Sequence, residues 1–553
     1  MAYIVKQKVH GNDYYYLRKS IRKGGKVISK NLGYLGKDKK QAEIKAKQII
    51  KQMESSKSEK SEKVSCPRKL IKENLSVEEL AVFCKRKGFV YPSGEIYGGF
   101  SGFWDFGPLG VELKNNLKKS WWDFHVKQRE DLVGIDGSII THPQVWKASG
   151  HVDNFSDVLV VCKKCKKPNK IDKNELGKIK CPCGGGYDES SAKEFKLMFE
   201  TNVGITGKSY LRPETAQLIF SNFKYVYENA RMKFPFGIAQ IGKAFRNEIS
   251  PRDFLFRCRE FEQMEIEYFI KKDQKCTYKI PNIEVLVYSS ENQEENKNAE
   301  KMKIKQALEK GIIKKDWHAY WLATEFLWFK KLGANLNNFR IRQHKKDELA
   351  HYSSDCWDLE YKFPFGWKEL QGIADRSDYD LSQHEKFSKK NLKVFDEELK
   401  EKFLPHVICE PSLGVERALL VFLFDAFYKD KDKENIVLSL DSQLAPIKAA
   451  VFPIVKKKEF EKIAKEIVED LKQRWNVVYD KSGSIGRRYA RNDEVGTLFC
   501  ITIDEESLKR KEATIRDRDT AKQIRVKISN LKNILEKLIS KKIEFEKAGK
   551  IIK

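Results

Sequence analysis

Three segments, met in a fixed order, constrain this chain more than any bulk property. The first is a helical pattern from Leu109 to Arg129 that runs into an apolar stretch, Leu132 to His142, closed by Pro143. The second is a pair of strand-like runs, Gly237 to Glu248 and Phe254 to Phe269, joined by the polar loop Ile249 to Asp253. Its first run ends in Phe245-Arg246-Asn247-Glu248. The third is Glu410-Pro-Ser-Leu-Gly-Val-Glu-Arg417, which leads into an apolar helix from Ala418 to Phe427. Any one of them reads as an ordinary helix–strand pair or a strand with a surface arginine. No P-loop, no GxGxxG after a strand and no HExxH occurs, so nucleotide chemistry here needs another architecture.

Size and polarity narrow the class. At about 150 residues per domain, 553 residues predict three or four domains. A chain 41% hydrophobic and 12% aromatic can bury a sizeable core, which excludes wholesale disorder. No apolar run approaches the ~18 residues of a membrane span, and the N-terminal MAYIVKQKVHGNDYYYLRK lacks an apolar signal region. Eleven scattered cysteines fit a reducing compartment. The expectation is a cytoplasmic protein with no membrane partner.

The net charge of +27 fits either a polyanionic partner or a solvated lysine-rich surface. It is unevenly spread. Residues 1–66 hold 17 Lys/Arg against 6 Asp/Glu, and residues 521–553 hold ten Lys/Arg against three Glu. Tyr3 to Val9, Tyr14 to Ile21 and Lys26 to Leu32 read as strands of a small meander, broken at Gly11-Asn12-Asp13 and Lys23-Gly24-Gly25. A helix from Lys39 to about Met53 follows. Tyr14, Tyr15 and Tyr16 interleave with Arg18, Lys19, Arg22 and Lys23, a composition suited to phosphate contacts and base stacking. Residues 1–54 are thus a basic module suited to RNA, and 55–66 a polar linker. Residues 273–316 read as a charged surface insertion, partly helical from about Glu300. In the C-terminal region, Ile534, Leu535, Leu538, Ile539 and Ile543 form a core-facing helical stripe.

Cys162-Lys-Lys-Cys165 is followed by Cys181-Pro-Cys183-Gly-Gly-Gly. Four thiols in two close pairs match a tetrahedral structural Zn²⁺ site, and the glycines allow the chain to fold tightly round the sulfurs. Four thiolates would leave no open position for chemistry.

Taken together, the opening three segments resemble motifs 1, 2 and 3 of the class II aminoacyl-tRNA synthetases. Longer stretches are similar to one family within that class, the α2-type glycyl-tRNA synthetases. They include Trp104-Asp-Phe-Gly-Pro-Leu-Gly, Ser149-Gly-His-Val-Asp-Asn-Phe-Ser-Asp157, Tyr210-Leu-Arg-Pro-Glu-Thr-Ala-Gln217, Arg259-Glu-Phe-Glu-Gln263, Glu369-Leu-Gln-Gly-Ile-Ala-Asp-Arg376 and Gly483 to Gly496. The resemblance spans about residues 67–545. It implies an antiparallel-sheet catalytic domain over 67–437 (α+β) and an α/β anticodon-binding domain over 438–553. Added to these are the knuckle at 162–183 and the N-terminal β-meander and helix module.

The resemblance also implies roles. The enzyme would be a homodimer that activates glycine with ATP and Mg²⁺ and passes it to the terminal adenosine of tRNA(Gly). Arg246, Glu369 and Arg417 are the expected catalytic residues, with Arg246 on the α-phosphate. ATP would be held by these and by Asn247, Glu248, Phe256, Arg257, Arg259, Glu260, Phe261, Leu370 and Gly414, with Phe261 and Arg417 sandwiching the adenine. Glycine would meet Glu214, Glu265, Glu410 and Ser412, with Phe261, Glu262, Gln263, Met264 and Gly414 alongside. Arg487, Arg488 and Arg491 would contact tRNA. Physics supports an acidic, tight pocket: glycine offers no side chain to grip, and one methylene discriminates by only ~1–3 kcal/mol. Two rivals stand beside this reading. One is a synthetase for another small amino acid. The other is an inactive synthetase-like RNA-binding protein, which should lack Arg246 and Arg417.

Overall fold

The computed structural model describes residues 2–9, 12–23, 26–39, 41–46, 68–171, 177, 179–205, 207–350, 352–396 and 400–552. The linker expected at 55–66 and the later turns of the helix expected to Met53 lie outside them. The chain forms two compact units, Met1–Arg68 with Ile551–Lys553 and Lys69–Lys550.

In the first unit β1 (Ala2–Val9), β2 (Asn12–Lys23) and β3 (Lys26–Gly36) form an antiparallel meander. Side chains alternate between its two faces. Tyr15, Leu17 and Leu35 are buried on one face, packed with Ala42 and Ala46 from the helical residues 41–46.

The second unit is organised round one large sheet. Helix α1 (Pro108–Trp122) opens with Pro at its first turn, where a missing N–H costs nothing. It continues through a wider turn, Asp123–Lys127, to β4 (Leu132–Gly134). The expected long strand is therefore three residues. Pro143 does not close it but begins a short helix, Pro143–Ala148, capped by the His142 side chain. Helix α2 (Ala216–Ala230) precedes the central hairpin of β5 (Phe236–Phe245) and β6 (Glu260–Ile270). The second run starts as a strand only at Glu260, because Phe254–Phe256 forms a single 3-10 turn.

The segment expected to be a surface insertion is instead partly sheet. It supplies β7 (Glu284–Tyr288) and β8 (Glu300–Lys303), and the helical part expected from about Glu300 runs from Ile304 to Glu309. Ile283, Val285, Val287 and Met302 alternate inward among its charges and are buried, a period the local Lys/Glu/Asn content obscures.

Helix α3 (Asp316–Lys331), β9 (Phe339–Gln343), β10 (Asp355–Phe363), β11 (Gly366–Asp375), β12 (His406–Gly414) and α4 (Val415–Ala426) complete the layer. Among the described residues the sheet has nine strands, ordered β8-β7-β9-β10-β11-β12-β6-β5-β4. All pairs from β9 to β5 are antiparallel.

The C-terminal region is the mixed α/β unit the alternation of elements predicts. Strand β13 (Ala449–Pro453) lies between β14 (Val477–Tyr479) and β15 (Phe499–Ile503), parallel to both. Strands β16 (Glu512–Asp517) and β17 (Gln523–Lys527) follow antiparallel. Helix α5 (Lys458–Lys472) turns Phe460, Ala464, Ile467, Val468 and Leu471 inward at helical spacing. In helix α6 (Leu531–Ile539) Leu535 and Leu538 of the expected stripe are buried. One apolar cluster runs from Val77 through the central sheet to Leu538, so residues on either side of 437/438 share a core. The Asn116 side chain also donates to the Leu444 and Ala445 carbonyls, at 3.2 and 3.1 Å.

Candidate active site

A cleft of about 300 Å³ opens over the sheet where β5, β6, β10, β11 and β12 meet the start of α4. Strand periodicity decides which side chains reach it. Along β6, Phe261, Gln263 and Glu265 line the cleft. The residues between them turn to the other face. Glu262 pairs with Lys114 and Lys118 (2.7 and 2.8 Å), and Met264 is fully buried in the apolar core. Glu260 forms an ion pair with Lys243. These three expected site residues therefore stand outside the cleft, as a contiguous run along a strand must.

The expected arginines converge. Arg246 leaves the end of β5, donates through Nε to the Pro213 carbonyl at 3.0 Å and packs against Phe261 and Phe155, 5.4 and 5.7 Å from the ring centres. Arg417, in the first turn of α4, donates through Nη1 to Glu369 Oε1 at 3.1 Å and lies over Phe256 at 4.6 Å. The ring under Arg417 is thus Phe256, while Phe261 neighbours Arg246. Arg417 holds the Glu369 carboxyl below its ordinary range. The connecting loop is braced by Glu248, whose carboxylate accepts from Arg257 at 2.9 Å and whose carbonyl accepts from Arg259 at 2.9 Å. Glu248, Arg257, Leu370 and Gly414 line the cleft, whereas Arg259 serves as this brace. Asn247 is absent from the lining, and its backbone N–H donates to the Leu197 carbonyl at 2.7 Å.

At the other end of the cleft the acidic residues gather. Glu265 accepts from Ser412 Oγ at 2.7 Å and from the Thr215 hydroxyl. Glu214 accepts from Gln217 at 3.0 Å and faces His151 Nε2 at 3.3 Å. Glu410 accepts from Arg376 Nη1 at 2.8 Å. Carboxylate oxygens of Glu265, Glu410 and Glu267 lie within 4.8 Å of one another. Such crowding splits their ionisation. Burial raises Glu214, but the charges of His151 and Arg376 outweigh it and hold that carboxyl far below its usual range. Burial, then the neighbouring Glu214 charge, raises Glu265. Burial lifts Glu410 and Glu267 well above it.

The knuckle also assembles. Sγ atoms of Cys162, Cys165, Cys181 and Cys183 all lie within 4.8 Å of one another, with Cys162–Cys183 at 3.5 Å and Cys165–Cys181 at 3.7 Å. Zn–S bonds of about 2.3 Å in a tetrahedron require sulfurs ~3.8 Å apart, so the four thiols fit a zinc ion. Gly185 is needed here: a Cβ would sit 2.5 Å from the Lys164 side chain and 2.9 Å from Cys162 Sγ.

The model of the tRNA synthetase class II core domain (G, H, P, S and T) matches residues 205–425, and that of the anticodon binding domain matches residues 448–538. A glycine–tRNA ligase of Thermobifida fusca is 42% identical over 489 residues, covering 83% of this chain and 97% of that protein. The chain belongs to the glycine–tRNA ligase family. Glycine–tRNA ligases of Acetivibrio thermocellus (43% over 494 residues, 83% of this chain and 98% of that one) and Treponema denticola (42% over 468, 82% and 94%) agree. A prolyl-tRNA synthetase from Cryptosporidium parvum, solved with L-proline and AMP, shares the fold alone. Its TM-score is 0.51 at 14% identity, over 84% of this chain and 78% of that one.

Within this glycine–tRNA ligase-family site, several residues escape sequence reasoning. Arg376 is 1% exposed and binds Asp380 bidentately, at 2.7 and 2.9 Å, as well as Glu410. Its guanidinium rests 3.8 Å from the Tyr352 ring centre. The Arg376–Asp380 spacing of four residues was the available signal. Glu267 lies two residues beyond Glu265 on the same strand face, where the period of two would have found it. His344 pairs with Asp358 at 2.7 Å on the cleft wall, which no local pattern announces. In the C-terminal region Arg488 is 3% exposed and donates to the Pro453 carbonyl at 2.6 Å. It is a structural residue and not the tRNA contact expected of it; Arg487 and Arg491 are exposed.

Proposed function

We propose that this chain joins glycine to tRNA(Gly), first activating glycine with ATP to glycyl-adenylate and pyrophosphate and then transferring it to the terminal adenosine. The observation that carries the reading is the pairing, in one cleft, of two converging arginines with a buried carboxylate cluster. Arg246 would neutralise charge developing on the α-phosphate, and Arg417 the charge towards the γ-phosphate. Phe256, beneath Arg417, and Phe261, beside Arg246, give the adenine apolar flanks. Glu369 would hold Mg²⁺, its carboxylate being about half exposed to the cleft; the ion would supply charge neutralisation on the phosphates. No side chain acts as nucleophile, since the glycine carboxylate attacks phosphorus itself. Positioning and charge then account for the rate.

The ammonium of glycine would sit among Glu214, Glu265 and Glu410, with Ser412 crowding the α-carbon. The Glu265 and Glu410 carboxyls, unlike that of Glu214, are lifted by burial and would give up protons to make room for an ammonium. Glycine binding is therefore expected to release protons and to tighten as pH rises through the ionisation of these carboxyls. Calorimetry in two buffers of different ionisation heat reads the release; identical heats would remove the proton exchange. The activity itself is tested by amino-acid-dependent ATP–pyrophosphate exchange. Exchange is expected with glycine, and exchange with alanine or serine alone would overturn the specificity.

The four knuckle thiolates would hold one structural Zn²⁺ per chain. Cys181→Ser is expected to lower bound zinc below one equivalent, read by metal analysis of the purified chain; full retention would exclude that ligand set. The chain is expected to work as a homodimer in the cytoplasm.

A further inference from the structure

The first unit carries an aromatic surface to which the reading above gives no role. Among the described residues, the meander buries one face, against residues 41–46. On the other face Tyr14, Tyr16 and Tyr34 gather: ring centres lie 6.2 Å apart for Tyr14–Tyr34 and 5.3 Å for Tyr16–Tyr34. Lys37 Nζ stands 5.1 Å over the Tyr14 ring. Arg18 shares the parity of Tyr14 and Tyr16 along β2, and Tyr3 pairs across from it. Tyr34 is 51% exposed and Tyr3 41%. Tyr14 and Tyr16 are half-buried.

Two tyrosines that each meet the ring of a third, exposed tyrosine on a sheet face are an unusual use of apolar area, because burial would normally claim it. A π-face bordered by cations suits a base beside a phosphate. Residues 1–66, with 17 Lys/Arg against 6 Asp/Glu, supply the long-range attraction for a polyanion. We propose that this face is a stacking platform for unpaired bases of the tRNA that the chain charges. The proposal rests on the tRNA reading above only for the identity of the RNA.

The test uses the full chain carrying Tyr14→Leu, Tyr16→Leu and Tyr34→Leu together. Affinity for tRNA(Gly) should fall about tenfold or more, the loss of one or more stacked bases, while the salt dependence of binding keeps its slope. Glycine-dependent ATP–pyrophosphate exchange, which needs no tRNA, should stay at the wild-type level. The triple Tyr→Phe chain keeps the rings and should bind as wild type, and Lys37→Gln should weaken binding and flatten the salt slope. Unchanged tRNA affinity in a folded triple-Leu chain overturns the platform, as does a Phe variant that loses as much as the Leu one. If the Leu chain fails to fold, wild-type affinity and slope in Lys37→Gln overturn it. If exchange fails in the wild-type chain, the ligase reading falls independently of the platform.

Discussion

Arg246→Ala is expected to lower glycine-dependent ATP–pyrophosphate exchange by about two to three orders of magnitude while leaving the fold intact. The magnitude follows from removing one preorganised donor aimed at transition-state charge, which costs about 2.7–4 kcal/mol in sites of this kind. The side chain is already fixed before substrate arrives, through Nε on the Pro213 carbonyl and through the flanking rings of Phe261 and Phe155. Little reorganisation is therefore needed when charge develops. Arg246→Lys should recover only part of the rate, because an ammonium cannot hold Pro213 and present a second donor in a fixed plane. The measurement is steady-state exchange at saturating ATP, with circular dichroism to verify folding. A folded alanine variant that exchanges at the wild-type rate would show that Arg246 plays no part in activation.

The second large effect concerns stability. Arg376→Met is expected to destabilise the Lys69–Lys550 unit by about 3–5 kcal/mol, the cost of stripping one partner from a buried ion pair. Arg376 is 1% exposed and satisfies both Asp380 and Glu410, so its loss strands buried carboxylates with no cation. Asp380→Asn in the same chain removes one stranded charge and should restore part of the stability. The pair therefore shows a coupling in a double-mutant cycle. Chemical denaturation of the four chains supplies the readout; additive effects would mean that the two residues act independently. Glycine affinity should fall in the single variant as well, because Glu410 loses the guanidinium that fixes its orientation.

Much of this was legible in the sequence, and the limits have physical causes. The hairpin of β5 and β6, the helix entered at Arg417 and the knuckle cysteines follow from local periodicity and spacing. Naming Glu260, Glu262 and Met264 as site residues ignored that a strand can offer only every second side chain to one face. The opposite face of β6 belongs to the core and to Lys114. The link from Arg376 to Glu410 was hidden because the two lie 34 residues apart, and only strand pairing brings them together. The buried strands within 273–316 were masked by their exposed charges: Val285 and Val287 are inward, while Glu284 and Lys301 face water in an ion pair. Arg488 looked like an RNA contact because composition cannot distinguish a guanidinium in solvent from one closing a buried turn.

The apolar cluster that continues from Val77 to Leu538 has a mechanical consequence. Segments joined by a large hydrophobic contact do not swing on a hinge as loosely docked domains do. The separation between the cleft and the exposed arginines at 487 and 491 is then a set gauge, like the jaws of a locked calliper. An RNA touching both ends has to fit that gauge, and any bending needed for the fit falls to the RNA.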